Sequence, residues 1–375
     1  MNLSHLLRRC LTCRSAALAA VALLAALAAP ASAQAVTQPS DAEPTLALPV
    51  EAAPAAPLPT PDFSLTIDPS LLAAANPDAA PVEPVIKAAA PEAPAAAWQK
   101  GPPLPLHTTE GQAGALFVPF AYMINPGPPG TIISPPAASY TFVKVGKKFI
   151  NQFVVTDTIL RRIEVGYLAG ILHLSDFPGA VRTRTGVDID HDDVVLHVFS
   201  LRGMVIEESE YIPAVTAGAA FKYNPTVQSI DTRLNGGVRG LGLERSNGVD
   251  YTLTATKTIP NVLFGRPIML TGGVRFSQAA QLGYLGFGDA YRMTLEADVC
   301  VPVTNWLAMS YEWRQKKNPY GKLGDLVGEE DDWHAICAAI ILSDRLTLGI
   351  AWGNFGTMVN HDEIGVWGFQ IKYEF

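Results

Sequence analysis

The chain ends in a strict alternation. Trp367, Phe369, Ile371, Tyr373 and Phe375 occupy every second position, and Gly368, Gln370, Lys372 and Glu374 fill the gaps. A period of two places the two sets on opposite faces of a β-strand. The pattern recurs upstream. Tyr291, Met293, Leu295, Ala297 and Val299 oppose Arg292, Thr294, Glu296 and Asp298; Leu307, Met309, Tyr311 and Trp313 oppose Ala308, Ser310, Glu312 and Arg314. Ile163, Val165, Tyr167 and Ile171 oppose Arg162, Glu164 and Gly166, and Phe221 and Tyr223 oppose Lys222. Tyr251 and Leu253 oppose Asp250 and Thr252, and Val274 and Phe276 oppose Arg275 and Ser277. Two further segments predict outer sets of Trp333, Ala335, Cys337, Ala339 and Ile341, and of Leu346, Leu348, Ile350 and Trp352. Val194 to Met204 is apolar on both faces, so its phase is open. Leu116 to Ile124 reads as a first strand or an inward plug, with Pro119 weighing against the strand.

From about Leu104 onward strand follows strand, with no long helical period. Short turns such as Ser343-Asp344 alternate with long polar loops such as Lys316 to Asp331. Counting gives roughly ten to fourteen strands of about ten residues, and bacterial barrels favour even numbers. The prediction is an all-β fold: a closed antiparallel transmembrane β-barrel of about twelve strands, spanning 105–375. The charges decide the sidedness. A soluble barrel would bury the Arg, Glu, Asp and Lys of the polar faces in a small core, at a severe desolvation cost. A water-filled or salt-bridged lumen accepts them, while the apolar faces meet lipid. Aromatics near strand ends (Trp313, Trp333, Trp352, Trp367, Tyr373) suit an interfacial girdle.

The N-terminal third is a different material. Arg8, Arg9 and Arg14 precede the apolar run Ala16 to Ala29, which is too short to span a membrane as a helix. Ala31-Ser32-Ala33 is a small-residue cleavage site, so residues 1–33 read as a cleaved signal peptide and Gln34 as the mature start. Removing three Arg and no acid takes the formal charge from −8 to −11. An acidic exported chain is a poor nucleic-acid binder. Residues 34–104 are dominated by Ala and Pro, too poor in burial to offset chain entropy, and read as a disordered periplasmic tail. Repeated Pro favours extended geometry, which makes the tail a candidate spacer towards a periplasmic protein or the cell wall, with Phe63-Ser-Leu-Thr-Ile as a candidate docking stub. Cys10 and Cys13 leave with the signal; the phasing puts Cys300 inward and Cys337 outward, hence two isolated thiols rather than a disulfide.

Chemistry is sparse. No Gly-rich strand-to-helix turn ends in Gly-Lys-Ser or Gly-Lys-Thr, no Gly-x-Ser-x-Gly elbow occurs, and no His pair brackets a Glu at metalloprotease spacing. Asp188-Ile-Asp-His-Asp-Asp opens like a calcium loop but has Asp193 and Phe199 where the loop needs Gly and Glu. It reads as a solvated acidic loop, as does Glu329 to Asp332. The expectation is a protein with no cofactor, no metal and no enzymatic activity. A lipid-modifying enzyme that assembles Ser, His and an acid from different strands is the class left open.

Certain residues are familiar in combination. Thr109-Glu110-Gly-Gln-Ala-Gly-Ala-Leu-Phe-Val-Pro opens the folded part; Leu270-Thr-Gly-Gly-Val-Arg-Phe-Ser-Gln-Ala-Ala-Gln-Leu-Gly-Tyr-Leu-Gly-Phe-Gly, Tyr311-Glu-Trp-Arg-Gln-Lys-Lys-Asn-Pro and Glu330-Asp-Asp-Trp follow. From Thr108 to Phe375 the chain resembles an uncharacterised family of exported bacterial proteins, catalogued only as a domain of unknown function. The resemblance implies fold and compartment and supplies no reaction. The terminal strand also resembles that of outer-membrane proteins as a group. This implies that Trp367, Phe369, Ile371, Tyr373 and Phe375 serve as the assembly signal read by the barrel-assembly machinery, with outer-membrane lipid and lipopolysaccharide as surroundings.

On this phasing Arg162, Glu164, Arg275, Arg292, Glu296, Asp298, Glu312 and Arg314 point inward. They either line a pore and set a transverse field or cross-link a closed lumen. A barrel of this size without an internal plug leaves a water path. The expected function is therefore porin-like passive passage of small solutes through a mixed-charge lumen. The alternative is a non-conducting structural or interaction barrel whose tail contacts a periplasmic partner.

Overall fold

The alternating segments pair in chain order and close on themselves. The computed structural model describes residues 104–317, 330–358 and 361–375. The predicted signal, the Ala/Pro tail up to 103, its Phe63 stub, and Glu329 lie outside the described residues. Two short strands, β1 (Leu106–His107) and β2 (Ala113–Gly114), pair with each other. The barrel is then built from β3 (Ala137–Val145), β4 (Lys148–Ile159), β5 (Ile163–His173), β6 (Asp193–Ile206), β7 (Ala214–Tyr223), β8 (Asn247–Leu263), β9 (Arg266–Ala279), β10 (Phe287–Pro302), β11 (Leu307–Arg314), β12 (Trp333–Ile341) and β13 (Leu346–Asn354). After a small hairpin, β14 (Thr357–Met358) and β15 (His361–Asp362), comes β16 (Val366–Glu374). Closure is between β16 and β3, where Phe369 faces Phe142 and Ile371 faces Tyr140. The result is the expected fold: a closed barrel of 12 antiparallel strands.

One end of the barrel carries the tight connections 160–162, 264–265, 303–306 and 342–345, with 207–213 as its longest. The other carries 174–192, 224–246, 280–286 and 315–332, with the two-residue turn 146–147 as its exception. The long loops hold structure that strand periodicity does not announce: α1 (Phe177–Thr185), α2 (Pro225–Arg233) and α3 (Gly237–Gly240). α2 starts where Asn224 caps Thr226 N and Val227 N, each at 3.1 Å, with Pro225 in the first turn. An Asn-Pro step was the available signal.

The outer surface is apolar along every wall. Phe153 (55% exposed), Phe199 (53%) and Phe369 (46%) are typical, with Leu201, Leu253, Met309 and Ile350 beside them. Such a continuous band is stable in contact with hydrocarbon and not in water. Aromatic clusters crown it at the long-loop end: Tyr167, His197 and Tyr223; Tyr251 and Tyr291; Tyr311 and His334. Among the described residues no helix is long and apolar enough to cross a membrane.

The phase of β12 is the reverse of the expectation. Trp333, Ala335, Cys337 and Ala339 are buried inside, and Ile336 faces out. Both faces of this strand are apolar, so the period alone does not choose between them. The interior chooses, because Phe117 and Phe355 wait there: Trp333 stacks on Phe355 at 4.3 Å and meets Phe117 edge-on at 6.0 Å. Cys337 is therefore inward, like Cys300, and both thiols are free. Ser310 of β11 sits between them, facing Cys300 on one side and Cys337 on the other.

Candidate functional site

Residues 104–125 form a plug inside the barrel. Nearly every residue of the segment is buried, and the plug folds back on itself through the β1–β2 pair and a Phe120 N to Ala113 O bond of 2.8 Å. Proline at 119 and glycines at 111 and 114 suit it to such a path better than to a strand. Gly114 is required by contact. A Cβ there would lie 2.2 Å from Val118 O and 2.8 Å from Pro119 Cα. We expect Gly114→Ala to loosen the plug at a cost of about 1–3 kcal/mol, the usual range for overpacking, read as a lower urea midpoint of the folded barrel.

The wall grips the plug with polar groups from almost every strand. Gln370 of β16 accepts from His107 N at 3.0 Å and donates back to His107 O at 2.7 Å. The His107 ring lies between Ser139 Oγ (2.8 Å) and Thr156 Oγ1 (2.9 Å). Gln152 donates to Thr109 O at 2.7 Å. Thr256 accepts from Ala121 N at 2.9 Å and Thr216 donates to Ala121 O at 2.6 Å. Lys372 donates to Pro105 O at 2.5 Å and pairs with Glu374 at 2.7 Å.

Three acids organise the charged contacts. Glu110, carried by the plug, binds Lys222, Arg275 (3.1 Å) and Arg314 (2.8 Å). Those cations also reach wall acids: Lys222 to Asp250 at 2.6 Å, Arg275 to Glu296 at 2.6 Å, and Arg314 to Glu296 at 2.9 Å. Glu164 accepts from Ala113 N (3.1 Å) and Ile124 N (3.0 Å) and pairs with Arg202 at 3.2 Å. Arg202 in turn donates to Ala113 O at 3.1 Å and to Phe120 O. Glu312 accepts from three successive amides, Leu116 N (2.8 Å), Phe117 N (2.8 Å) and Val118 N (2.6 Å). All these side chains are buried. β12 and β13 complete the cage with apolar contacts to Leu116 and Phe117.

Of the eight residues predicted to line the lumen, Glu164, Arg275, Glu296, Asp298, Glu312 and Arg314 lie inside the barrel. Arg162 does not. Positive φ at Leu160 (51°) and Arg161 (60°) makes it part of a turn, where it pairs with the exposed Glu207 at 2.7 Å. Arg292 keeps the phase of Glu296, but β10 carries it past the packed interior and it stays in solvent, while Tyr291 faces outward (47% exposed). The terminal set Trp367, Phe369, Ile371, Tyr373 and Phe375 faces outward throughout.

The residues that sequence reasoning missed are Glu110, Arg202, Lys222 and Asp250. Lys222 and Asp250 were visible as polar-face members of their strands. Arg202 is the one charge in an otherwise phase-less apolar run, and a charge there fixes which face is inside. Glu110 gave no periodic signal, because the plug is irregular.

A second insert comes from the long-loop end. Residues 280–287 bring Tyr284 and Phe287 into the interior against Leu168, Val198 and Leu196, and Asn224 holds Gly283 O and Tyr284 O at 2.9 Å each.

His107 has hydroxyls on both ring nitrogens, no carboxylate partner and full burial. The acidic loop is engaged in surface pairs, Asp190 with Arg233 at 2.6 Å and Asp188 with Arg182 at 3.5 Å. Among the described residues no group of three or more His, Cys, Asp or Glu is placed to hold a metal ion.

The family model described as "Protein of unknown function (DUF3034)" matches residues 105–369. No curated protein matches the sequence. Among solved structures, the chain is similar to the KdgM porin (TM-score 0.40, 8% identity, 64% of this chain and 99% of that one). It is also similar to the NanC porin (TM-score 0.38, 8%, 64% and 98%) and to the Acinetobacter baumannii outer membrane protein Omp33 (TM-score 0.35, 8%, 65% and 99%).

Proposed function

We propose that this chain, which belongs to the DUF3034 family of proteins of unknown function, is a porin-like outer-membrane channel for small solutes, closed by its own segment 104–125. The observation that carries the reading is the chemistry of the seal. The plug is held by carboxylates, guanidiniums, an ammonium, amides and hydroxyls, beside the apolar packing of Leu106, Leu116, Phe117, Val118 and Phe120. Water competes well for such groups, because a buried ion pair gains little over its hydrated partners. The polar part of the seal separates at lower cost than an apolar core of the same extent would. Once it is gone, Glu164, Arg202, Lys222, Asp250, Arg275, Glu296 and Arg314 line a hydrated mixed-charge path, the setting in which charged walls select among solutes. No chemical step is assigned to the barrel.

The same reading takes residues 1–33 as a cleaved export signal, the short-turn end as periplasmic, and the outward face of β16 as the feature recognised by the assembly machinery. Planar-bilayer recording tests the central point. The full chain should sit mostly closed, and a chain lacking 104–125 should give a steady ohmic conductance. A folded deletion barrel, shown by heat-modifiable migration, that passes no current would remove the channel reading. A non-conducting barrel with a partner-binding tail is the second reading. It is favoured by the insert 280–287, which packs Tyr284 and Phe287 into the interior from the long-loop end.

A further inference from the structure

Among the described residues that point into the barrel from its strands and plug, the charges balance in all but one place. Glu110, Asp250 and Glu296 are matched by Lys222, Arg275 and Arg314; Glu164 is matched by Arg202, and Glu374 by Lys372. Asp298 and Glu312, facing each other on β10 and β11, have no such cation. Glu312 is served by three amides and by the Cys337 thiol at 2.9 Å. Asp298 is not served: it is 2% exposed, and among the described residues neither carboxylate oxygen has an ion pair or, Ser310 apart, a hydrogen-bond partner. One rung nearer the short-turn end lies Ser310, also buried, whose hydroxyl is within reach of the Asp298 carboxyl and has no other partner among the described residues.

That rung opens on a cavity of about 450 Å³, lined by Leu106, Phe120, Met269, Cys300, Ser310 and Cys337 and bounded by Pro302 at the short-turn end. The volume falls within the range of small-molecule sites, about 300–1,000 Å³. Its walls are mostly apolar, with Ser310, Tyr122 and Asn125 as polar members and charges at its edge. Arg161 stands at the rim, and Glu374 is already paired with Lys372. A buried carboxyl without a counter-ion sheds its charge by holding a proton, and only a guest that brings a cation lets it ionise.

The geometry points to a binding site for a small primary ammonium ion with an apolar body. The body fills the cavity, and the ammonium donates to Ser310 Oγ and to the Asp298 carboxylate behind it, supplying the cation that this rung lacks. The inference does not depend on conductance, since the cavity lies beside the plug as it stands.

Calorimetric titration of the full chain in lipid nanodiscs tests it, with n-hexylammonium, hexan-1-ol and hexanoate as probes near neutral pH and empty discs subtracted. Hexylammonium should saturate a single site at least about tenfold more tightly than hexan-1-ol, with hexanoate weaker than both. Asp298→Asn should bring hexylammonium down to the level of hexan-1-ol and leave the alcohol unchanged. Equal binding of amine and alcohol, no saturable amine binding, or an amine preference that survives Asp298→Asn would each overturn the site. If Asp298→Asn does not fold, the order of the three probes on the native chain decides alone.

Discussion

Replacing Glu110 with alanine should free the plug and cost the folded chain about 3–5 kcal/mol, the range for removing one partner of a buried ion pair. Glu110 is the one plug side chain that meets three cations, Lys222, Arg275 and Arg314, from β7, β9 and β11. Without it these cations keep only Asp250 and Glu296, two acids for three bases. The penalty is therefore an uncompensated charge in a low-dielectric interior, and the cheapest relief is admission of water. Water enters by displacing residues 104–125. The same substitution is thus expected to raise open probability in bilayer recordings while lowering the urea midpoint. Glu110→Gln should fall between, because it keeps shape and some hydrogen bonding but no charge. An unchanged midpoint with Glu110→Ala would mean that the acid is not the hub its contacts describe. A lowered midpoint with no added current would separate plug stability from gating and favour the non-conducting barrel.

How much of this could be read from the chain depends on what each face touches. β16, β10 and β11 alternate between lipid-facing apolar groups and charged inward groups, so a period of two assigned their phases from sequence alone. β6 and β12 could not be assigned so simply. Their inward groups, Val194, Leu196 and Val198 on one and Trp333, Ala335 and Cys337 on the other, pack against Tyr284, Phe287, Phe117 and Phe355. An apolar face meeting an apolar plug looks, in sequence, like one meeting lipid. The error at β12 is thus a consequence of the plug, which the periodic argument could not supply. The wall half of the charged site was legible for the same reason that the strands were. The plug half was not, because Glu110 sits in irregular backbone and its three cations, Lys222, Arg275 and Arg314, are all distant in sequence. Arg162 failed for a local reason: two residues with positive φ before it form a turn that alternation does not detect.

The sidedness itself makes the second large prediction, through Phe369. This residue is central in β16, faces outward at 46% exposure, and lies beside Ile350 and Phe142 of the neighbouring strands. In a bilayer Phe369→Arg places a guanidinium in hydrocarbon, and should cost about 2–4 kcal/mol at the midplane. Tyr373→Arg makes the same change near the short-turn end of the strand. There the side chain reaches the headgroup region, and the cost should fall to about 0–1 kcal/mol. The pair therefore reads depth as well as sidedness, by reversible urea unfolding from phosphocholine vesicles. In water neither site would discriminate: an exposed position takes arginine within about 0.5 kcal/mol, at Phe369 as at Tyr373. Lys372, between them in sequence, shows the opposite environment, since it is fully buried against Pro105 O and Glu374. Its charge is held inside the barrel by the same alternation that holds Phe369 outside. Equal, small effects at Phe369 and Tyr373 would mean that the apolar band does not meet lipid, and the channel reading would lose its premise.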